Sequence, residues 1–139
     1  MHIGYEHAQL AVRAGIEKAH KMNVPISVAV VDAGRNLLAF ARMDNALLGS
    51  VELSQGKAFT SATVSIRTSE LGRNAQPGGP FYSIENSQHR PMILFAGGAP
   101  IIRGGRTLGA VGVSGGSLEE DEVIAQHICD VLSSVNLED

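Results

Sequence analysis

The stretch Pro100–Gly116, PIIRGGRTLGAVGVSGG, decides the fold that the sequence predicts. The Gly-Gly pair at 104 and 105 supplies the positive φ angles that a type I′ turn needs. Apolar residues flank this pair on both sides. We therefore predict a two-residue hairpin that joins a strand at 100–103 to a strand at 106–116. The apolar run MILFAGG, residues 92–98, predicts one more strand directly before the hairpin.

A second hairpin is predicted nearer the N-terminus. Residues 26–32, ISVAVVD, are apolar and β-branched without alternation, which is typical of a strand covered on both faces. The turn-forming residues 32–36 and then LLAFARM, residues 37–43, follow directly. These segments favour two antiparallel strands that are neighbours in the sequence.

Helices are predicted between and around the strands. Apolar residues recur at helical spacing over 6–22 and 47–64, whereas 68–80 predicts a short helix at best, followed by a loop. Ser117 with Glu120 forms a capping-box pattern at the start of a final helix. This element order disfavours a doubly wound parallel fold. It predicts an α/β fold, with one mostly antiparallel sheet of about five strands and helices packed on it.

The composition predicts one packed domain over residues 1–139. Hydrophobic residues make up 44% of the chain and charged residues 18%, which is typical of a globular core. The net charge is −3 and the 11 Lys and Arg residues are scattered, so we expect no nucleic-acid partner. No apolar run reaches the roughly 20 residues of a membrane helix, and no secretory signal is recognisable. We therefore expect a cytoplasmic protein with no membrane partner.

Histidines and the single cysteine offer no metal-site pattern. Cys129 is the only cysteine, and no two of the five histidines have HExxH or HxH spacing. His89 lies in the polar loop 83–90, where it is well placed to meet a ligand. His20 lies at the end of the first predicted helix, where a cation is favoured by the helix dipole.

Lys57 stands out because it lies in the middle of a predicted helix, between small and apolar neighbours in SQGKAFT, residues 54–60. On a half-buried face, its ammonium could hold an anionic group, or desolvation could lower its pKa. Its stem could equally lie on apolar surface with the ammonium in water. The residues alone leave both interpretations open.

Residues 112–116, Gly-Val-Ser-Gly-Gly, match the GxSxG pattern of a nucleophile elbow. The only histidine that follows is His127, which lies inside a predicted amphipathic helix. The pattern therefore does not support serine hydrolysis. Glycines here are better explained by turns and close sheet packing, although the segment ends at a helix N-terminus, which favours anions.

An ordered set of segments resembles the GlcG/HbpS family, to which the C-terminal domain of PduO also belongs. The resemblance spans nearly the whole chain. It rests on Ser27–Gly34, Asn36–Ala46, Lys57 with Ala58 and Thr60, Pro77 with Gly78, Phe81–Ile84, Phe95–Pro100, Leu108–Gly116 and Glu120–Glu122. The resemblance implies a profilin- or PAS-like α/β/α domain that assembles into homo-oligomers. It also implies haem binding in several members, whereas other members accompany catabolic enzymes.

The first functional hypothesis is a haem- or tetrapyrrole-binding accessory protein. Haem needs an apolar slot, an axial ligand and cations for its propionates. Lys57 and Arg42 could serve the propionates, and His89, His20 or Met43 could serve the iron.

The second hypothesis is a cofactor-independent isomerase or lyase that acts on a small carboxylic acid in a catabolic pathway. Lys57 would hold the carboxylate of this anionic ligand or act as a base. Tyr82, Asn86 and the backbone N–H groups near Gly97 and Gly98 would stabilise developing negative charge. A third hypothesis is an oligomeric scaffold that binds no small molecule.

Overall fold

The computed structural model describes residues 1–137, so the last two positions of the predicted domain lie outside it. Its four strands are β1 (Ser27–Asp32), β2 (Leu37–Arg42), β3 (Gly98–Arg103) and β4 (Arg106–Ser114). They form one sheet in the order β2-β1-β4-β3, and every neighbouring pair is antiparallel. The predicted single antiparallel sheet is confirmed.

Four α-helices accompany the sheet. They are α1 (Tyr5–Met22), α2 (Ser50–Val64), α3 (Thr68–Asn74) and α4 (Leu118–Ser133), and a short 3₁₀ turn covers Ile84–Asn86. Helices α1 and α4 pack on each other and on one face of the sheet, while α2 packs on the opposite face. None of the described helices is long and apolar enough to cross a membrane.

The prediction of about five strands was too high, because residues 92–97 do not form a strand. Only Gly98, at the end of the predicted segment, belongs to β3. The backbone N–H of Ile93 donates to Thr60 Oγ1 of α2 at 2.8 Å instead of to a neighbouring strand. A Cβ on Gly72 of α3 would lie 1.8 Å from the Leu94 carbonyl oxygen. The apolar run therefore packs against α2 and α3 and is only partly buried, and periodicity alone does not distinguish such a segment from a buried strand.

Small residues bring α2 close to the sheet. Ala29, Val31 and Ala110 pack with Ala58 of α2 on this face. A Cβ on Gly112 of β4 would lie only 1.9 Å from the Ser54 carbonyl oxygen of α2. The backbones of the helix and the strand are thus in near contact, which places the α2 side chains at the end of β4.

The predicted turn and cap chemistry is confirmed. Gly104 and Gly105 have φ angles of +55° and +76°, as a turn with two left-handed residues requires. Ser117 accepts a hydrogen bond from the Glu120 backbone N–H at 3.1 Å, and the Glu120 carboxylate accepts one from the Ser117 N–H at 2.8 Å. The reciprocal pair fixes the start of α4 beside the end of β4.

Candidate functional site

A groove of about 530 Å³ lies where α1 ends beside the end of β2. We call it the His20 groove. Apolar and polar side chains share its surface: Ile16, Ala19, His20, Asn23, Val24, Pro25, Arg42, Met43, Asp44 and Asn45. Its volume is within the range of small-molecule sites.

His20 and Arg42 give the groove its chemical character. Both side chains are exposed. The Arg42 guanidinium donates to the Ala46 carbonyl oxygen from Nε at 3.2 Å and from Nη2 at 2.6 Å. Its Nη1 has no acceptor among residues 1–137. The Met43 sulfur accepts the Ile26 N–H at 3.4 Å. An imidazole and an oriented cation are therefore available beside an apolar wall.

A second cavity, of about 400 Å³, lies at the end of β4, and we call it the Lys57 cavity. Lys57 and Asp121 are its only charged lining residues. The remaining lining residues are small or apolar: Leu47, Leu48, Gly49, Ser50, Leu53, Phe95, Ser114, Gly115, Gly116 and Leu118.

Lys57 and Asp121 form a buried ion pair at this cavity. Lys57 is fully buried, and Nζ lies 3.2 Å from Asp121 Oδ2 and 2.8 Å from the Val113 carbonyl oxygen. The N–H of Gly116 donates to Asp121 Oδ1 at 2.9 Å, so the carboxylate is oriented from both sides. The prediction that Lys57 occupies a half-buried face was wrong, and so was the alternative of an ammonium in water, because Asp121 and the 92–97 segment cover it.

Gly97 allows the lysine to enter. Its φ of +125° lies in the region that favours glycine, and a Cβ there would lie 2.7 Å from Lys57 Nζ. A Cβ would also lie 2.3 Å from the Val113 carbonyl oxygen that accepts from Lys57. Gly97 therefore contributes space for the ammonium.

The pair is electrically self-compensating. Burial lowers the pKa of Lys57, and the attraction of Asp121 acts in the opposite direction. Burial raises the pKa of Asp121, and the attraction of Lys57 opposes this change. Lys57 consequently offers no net positive charge to an anion, since any carboxylate that reached it would also meet Asp121.

Two of the other predicted site residues lie elsewhere. Tyr82 and Asn86 are exposed in the segment after α3, and neither lines the His20 groove or the Lys57 cavity. The Gly98 N–H donates to Thr68 Oγ1 at 2.8 Å, so this donor is used inside the fold. The structure therefore places Gly97 and Gly98 beside Lys57 but leaves Tyr82 and Asn86 outside its cavity.

His89 packs on an aromatic ring rather than in a cavity. Its imidazole contacts Phe59 edge-on, with 5.2 Å between ring centres. The guanidinium groups of Arg35 and Arg90 lie 4.8 and 5.1 Å from the centre of the same ring. His89 is thus exposed within a cationic cluster, apart from both cavities.

Sequence reasoning missed three residues of the Lys57 cavity. Asp121 follows the predicted cap at Ser117 by four positions and lies in Glu120–Glu122 of the family resemblance, but neither signal pairs it with Lys57. Ser114 was assigned to a glycine-rich sheet segment and Phe95 to a strand. Among the described residues, no cluster of three or more His, Cys, Asp or Glu side chains could hold a metal ion.

The fold is a small α/β domain with the His20 groove on one side and the Lys57 cavity at the end of β4. Residues 3–130 match the family described as haem degrading protein HbpS-like. The chain belongs to this HbpS-like family, and the resemblance inferred from the sequence is confirmed.

Relatives of known description agree with this assignment. The chain is 38% identical to an uncharacterized 15.0 kDa protein of the dhaT-dhaS intergenic region of Citrobacter freundii, covering 85% of this chain and 83% of that protein. It is 40% identical to the corrinoid adenosyltransferase PduO of Salmonella typhimurium, covering 82% of this chain but only 34% of PduO. A solved structure described as a PduOC:heme complex has a TM-score of 0.90 at 33% identity and covers 100% of both chains.

Proposed function

We propose that this protein binds haem or a related tetrapyrrole in the His20 groove, with His20 as the axial ligand and Arg42 beside a propionate. The main support for this proposal is that the exposed imidazole of His20 and the oriented guanidinium of Arg42 lie in the same groove, beside apolar side chains. Haem would supply redox-active iron, and this chain would supply His20 as the iron ligand, Arg42 as the cation and the apolar side chains of the groove.

The residues of the groove fit this group. Ile16, Val24 and Pro25 provide apolar surface, and Arg42 Nη1 remains to meet a carboxylate. His20 is favoured over Met43 as the iron ligand, because the Met43 sulfur already accepts the Ile26 N–H. The proposal is also supported by the haem complex of PduOC and by the description of the family.

His89 is the matched alternative ligand within the chain. It is exposed like His20, but it lies beside two guanidinium groups and lines neither cavity. Positive charge near the iron would oppose ferric haem. We therefore assign iron ligation to His20 and use His89 as the control.

A haemin titration tests the assignment. The wild-type chain should shift the Soret band with saturation at one haem per site, and His20→Ala should remove the shift. Arg42→Ala should weaken binding by about tenfold, since a charge-assisted contact contributes about 1.5–3 kcal/mol at most. His89→Ala should bind as the wild type does.

Two results would contradict the proposal. One is a wild-type chain that leaves the Soret band of micromolar haemin unchanged. The other is a shift that survives in His20→Ala and disappears in His89→Ala. Circular dichroism of each variant shows whether the fold is intact, so loss of binding is not confused with unfolding.

A further inference from the structure

The Lys57 cavity contains polar groups that the haem proposal does not use. It is separate from the His20 groove, and the two share no lining residue. A buried ion pair gives little net stability, because desolvation of both charges offsets their attraction. The position of Lys57 and Asp121 at a cavity is therefore not explained by stability alone.

Ser114 adds an unused hydrogen-bonding group to the cavity. It is 4% exposed, and the described residues form no hydrogen bond with its hydroxyl. This oxygen is not among the fully buried unpaired ones, so it keeps some contact with solvent. Because Ser114 lines the same cavity as Lys57, its hydroxyl is available to donate to a ligand oxygen there.

Lys57 itself has one bonding position left. Two of its tetrahedral positions are directed to the Val113 carbonyl oxygen and to Asp121. The third has no acceptor among the described residues, and the face of Phe95 lies 5.1 Å from Nζ. When Asp121 takes the proton directed at it, the lone pair of the free amine first faces Asp121, and rotation about the Cε–Nζ bond turns it to this third position. Phe95 is 38% exposed, so a ligand gains access to Nζ by displacing its ring.

We propose that Lys57 forms an imine with a small, largely apolar aldehyde that enters this cavity. The carbonyl oxygen accepts from Ser114, and the apolar body lies against Leu47, Leu48 and Leu118. Desolvated lysines are the residues that form Schiff bases with carbonyl substrates.

The atoms and protons balance within the pair. Asp121 takes a proton from the Lys57 ammonium, and the free amine attacks the aldehyde carbon to give a carbinolamine. Asp121 then returns the proton to the departing hydroxyl, which leaves as water. The product is the protonated imine beside the Asp121 carboxylate, so one water is released and no oxidant or reductant is needed.

An aldehyde suits the cavity better than a carboxylic acid does. The ion pair has no net charge, so a neutral carbonyl enters without a new buried charge. A carboxylate would lie beside Asp121 in a cavity otherwise lined by small and apolar groups, which is costly. Aldehyde binding in the Lys57 cavity does not require haem in the His20 groove.

Reductive trapping tests the proposal on the intact wild-type chain. Propionaldehyde with sodium cyanoborohydride should give a propyl adduct at Lys57, which peptide mass mapping distinguishes from adducts at the Met1 α-amine. The chain has only two other lysines, Lys18 and Lys21, both on α1, and they are the internal controls. Lys57 should react faster than either control, because its lowered pKa leaves more free amine at neutral pH.

Variants separate the roles of the neighbours. Asp121→Asn keeps the size of the side chain and removes the attraction that raises the pKa of Lys57, so labelling of Lys57 should persist to lower pH than in the wild type. Phe95→Ala should increase the labelling rate of Lys57 and leave the rates of Lys18 and Lys21 unchanged, because it opens the path to Nζ. Labelling of wild-type Lys57 at or below the rates of Lys18 and Lys21 would overturn the proposal, whatever the result of the haemin titration.

Discussion

At the scale of single residues, the Lys57–Asp121 pair has the largest predicted effect on stability. Lys57→Met leaves the Asp121 carboxylate buried without its partner, and should lower the free energy of unfolding by about 3–5 kcal/mol. The double variant Lys57→Met/Asp121→Asn should recover most of this loss, because asparagine can still accept from Gly116 N–H. Chemical denaturation measures the free energy of unfolding of the single and the double variant. Equal losses in the single and double variants would contradict the pairing.

The loss in Lys57→Met should depend on pH. Burial raises the pKa of Asp121, and the substitution removes the lysine that opposes this change. The folded variant therefore binds a proton more tightly than its unfolded chain. The loss relative to wild type should be complete at neutral pH and should shrink as pH falls toward about 3.9, the ordinary aspartate pKa. A constant difference from pH 8 to pH 4 would contradict the assignment.

Gly97 gives a second residue-scale prediction. Gly97→Ala combines a φ of +125° with a Cβ 2.7 Å from Lys57 Nζ, whereas Gly78→Ala has a φ of +85° in open space. Gly97→Ala should lower the free energy of unfolding by about 1–3 kcal/mol more than Gly78→Ala does, because it adds overpacking to backbone strain. Thermal and denaturant unfolding of the two variants provide the comparison, and equal losses would show that the lysine does not need this space.

The residues of the cavity were only partly predictable. Lys57 could be selected from its small and apolar neighbours, since these favour desolvation. Asp121 could not, because it lies 64 positions away in the sequence and meets Lys57 only when β4 ends beside α4. The local sequence therefore indicates that a side chain is buried, but it does not indicate which distant charged residue it will contact.

At the scale of elements, the capping box of α4 positions Asp121. Ser117→Ala removes the hydroxyl that accepts from Glu120 N–H and should cost about 1 kcal/mol. Ser133→Ala, an exposed serine at the other end of α4, should change stability by less than about 0.5 kcal/mol. Denaturant unfolding distinguishes the two. Similar small effects in both variants would mean that the box does not hold the helix start.

The sequence correctly predicted the elements that depend on particular local residues. The Gly104-Gly105 turn and the Ser117 cap each need particular residues, and both are present as expected. Residues 92–97 carry no such signal, and their apolar run is used against α2 and α3 rather than in the sheet. The segment is only partly buried, with Phe95 exposed, and it is not a strand.

At the scale of the whole molecule, assembly into a homo-oligomer stays a prediction from the family resemblance. Large apolar side chains at the mouth of the Lys57 cavity are exposed, including Leu48 at 81%. Native mass spectrometry should show a mass above one chain, and Leu48→Lys should weaken the assembly if this surface takes part. A monomer throughout the micromolar range would contradict the prediction.

Paramagnetic broadening by ferric haem tests the central claim, the location of the haem site, most directly. In the ¹H–¹⁵N spectrum of the wild-type chain, one equivalent of haemin should broaden the amide signals of residues 19–24 and 42–45, which surround the His20 groove. The signals of residues 86–90, which lie around His89 and outside the groove, should remain sharp. Broadening centred on His89, or no selective broadening at all, would contradict the assignment.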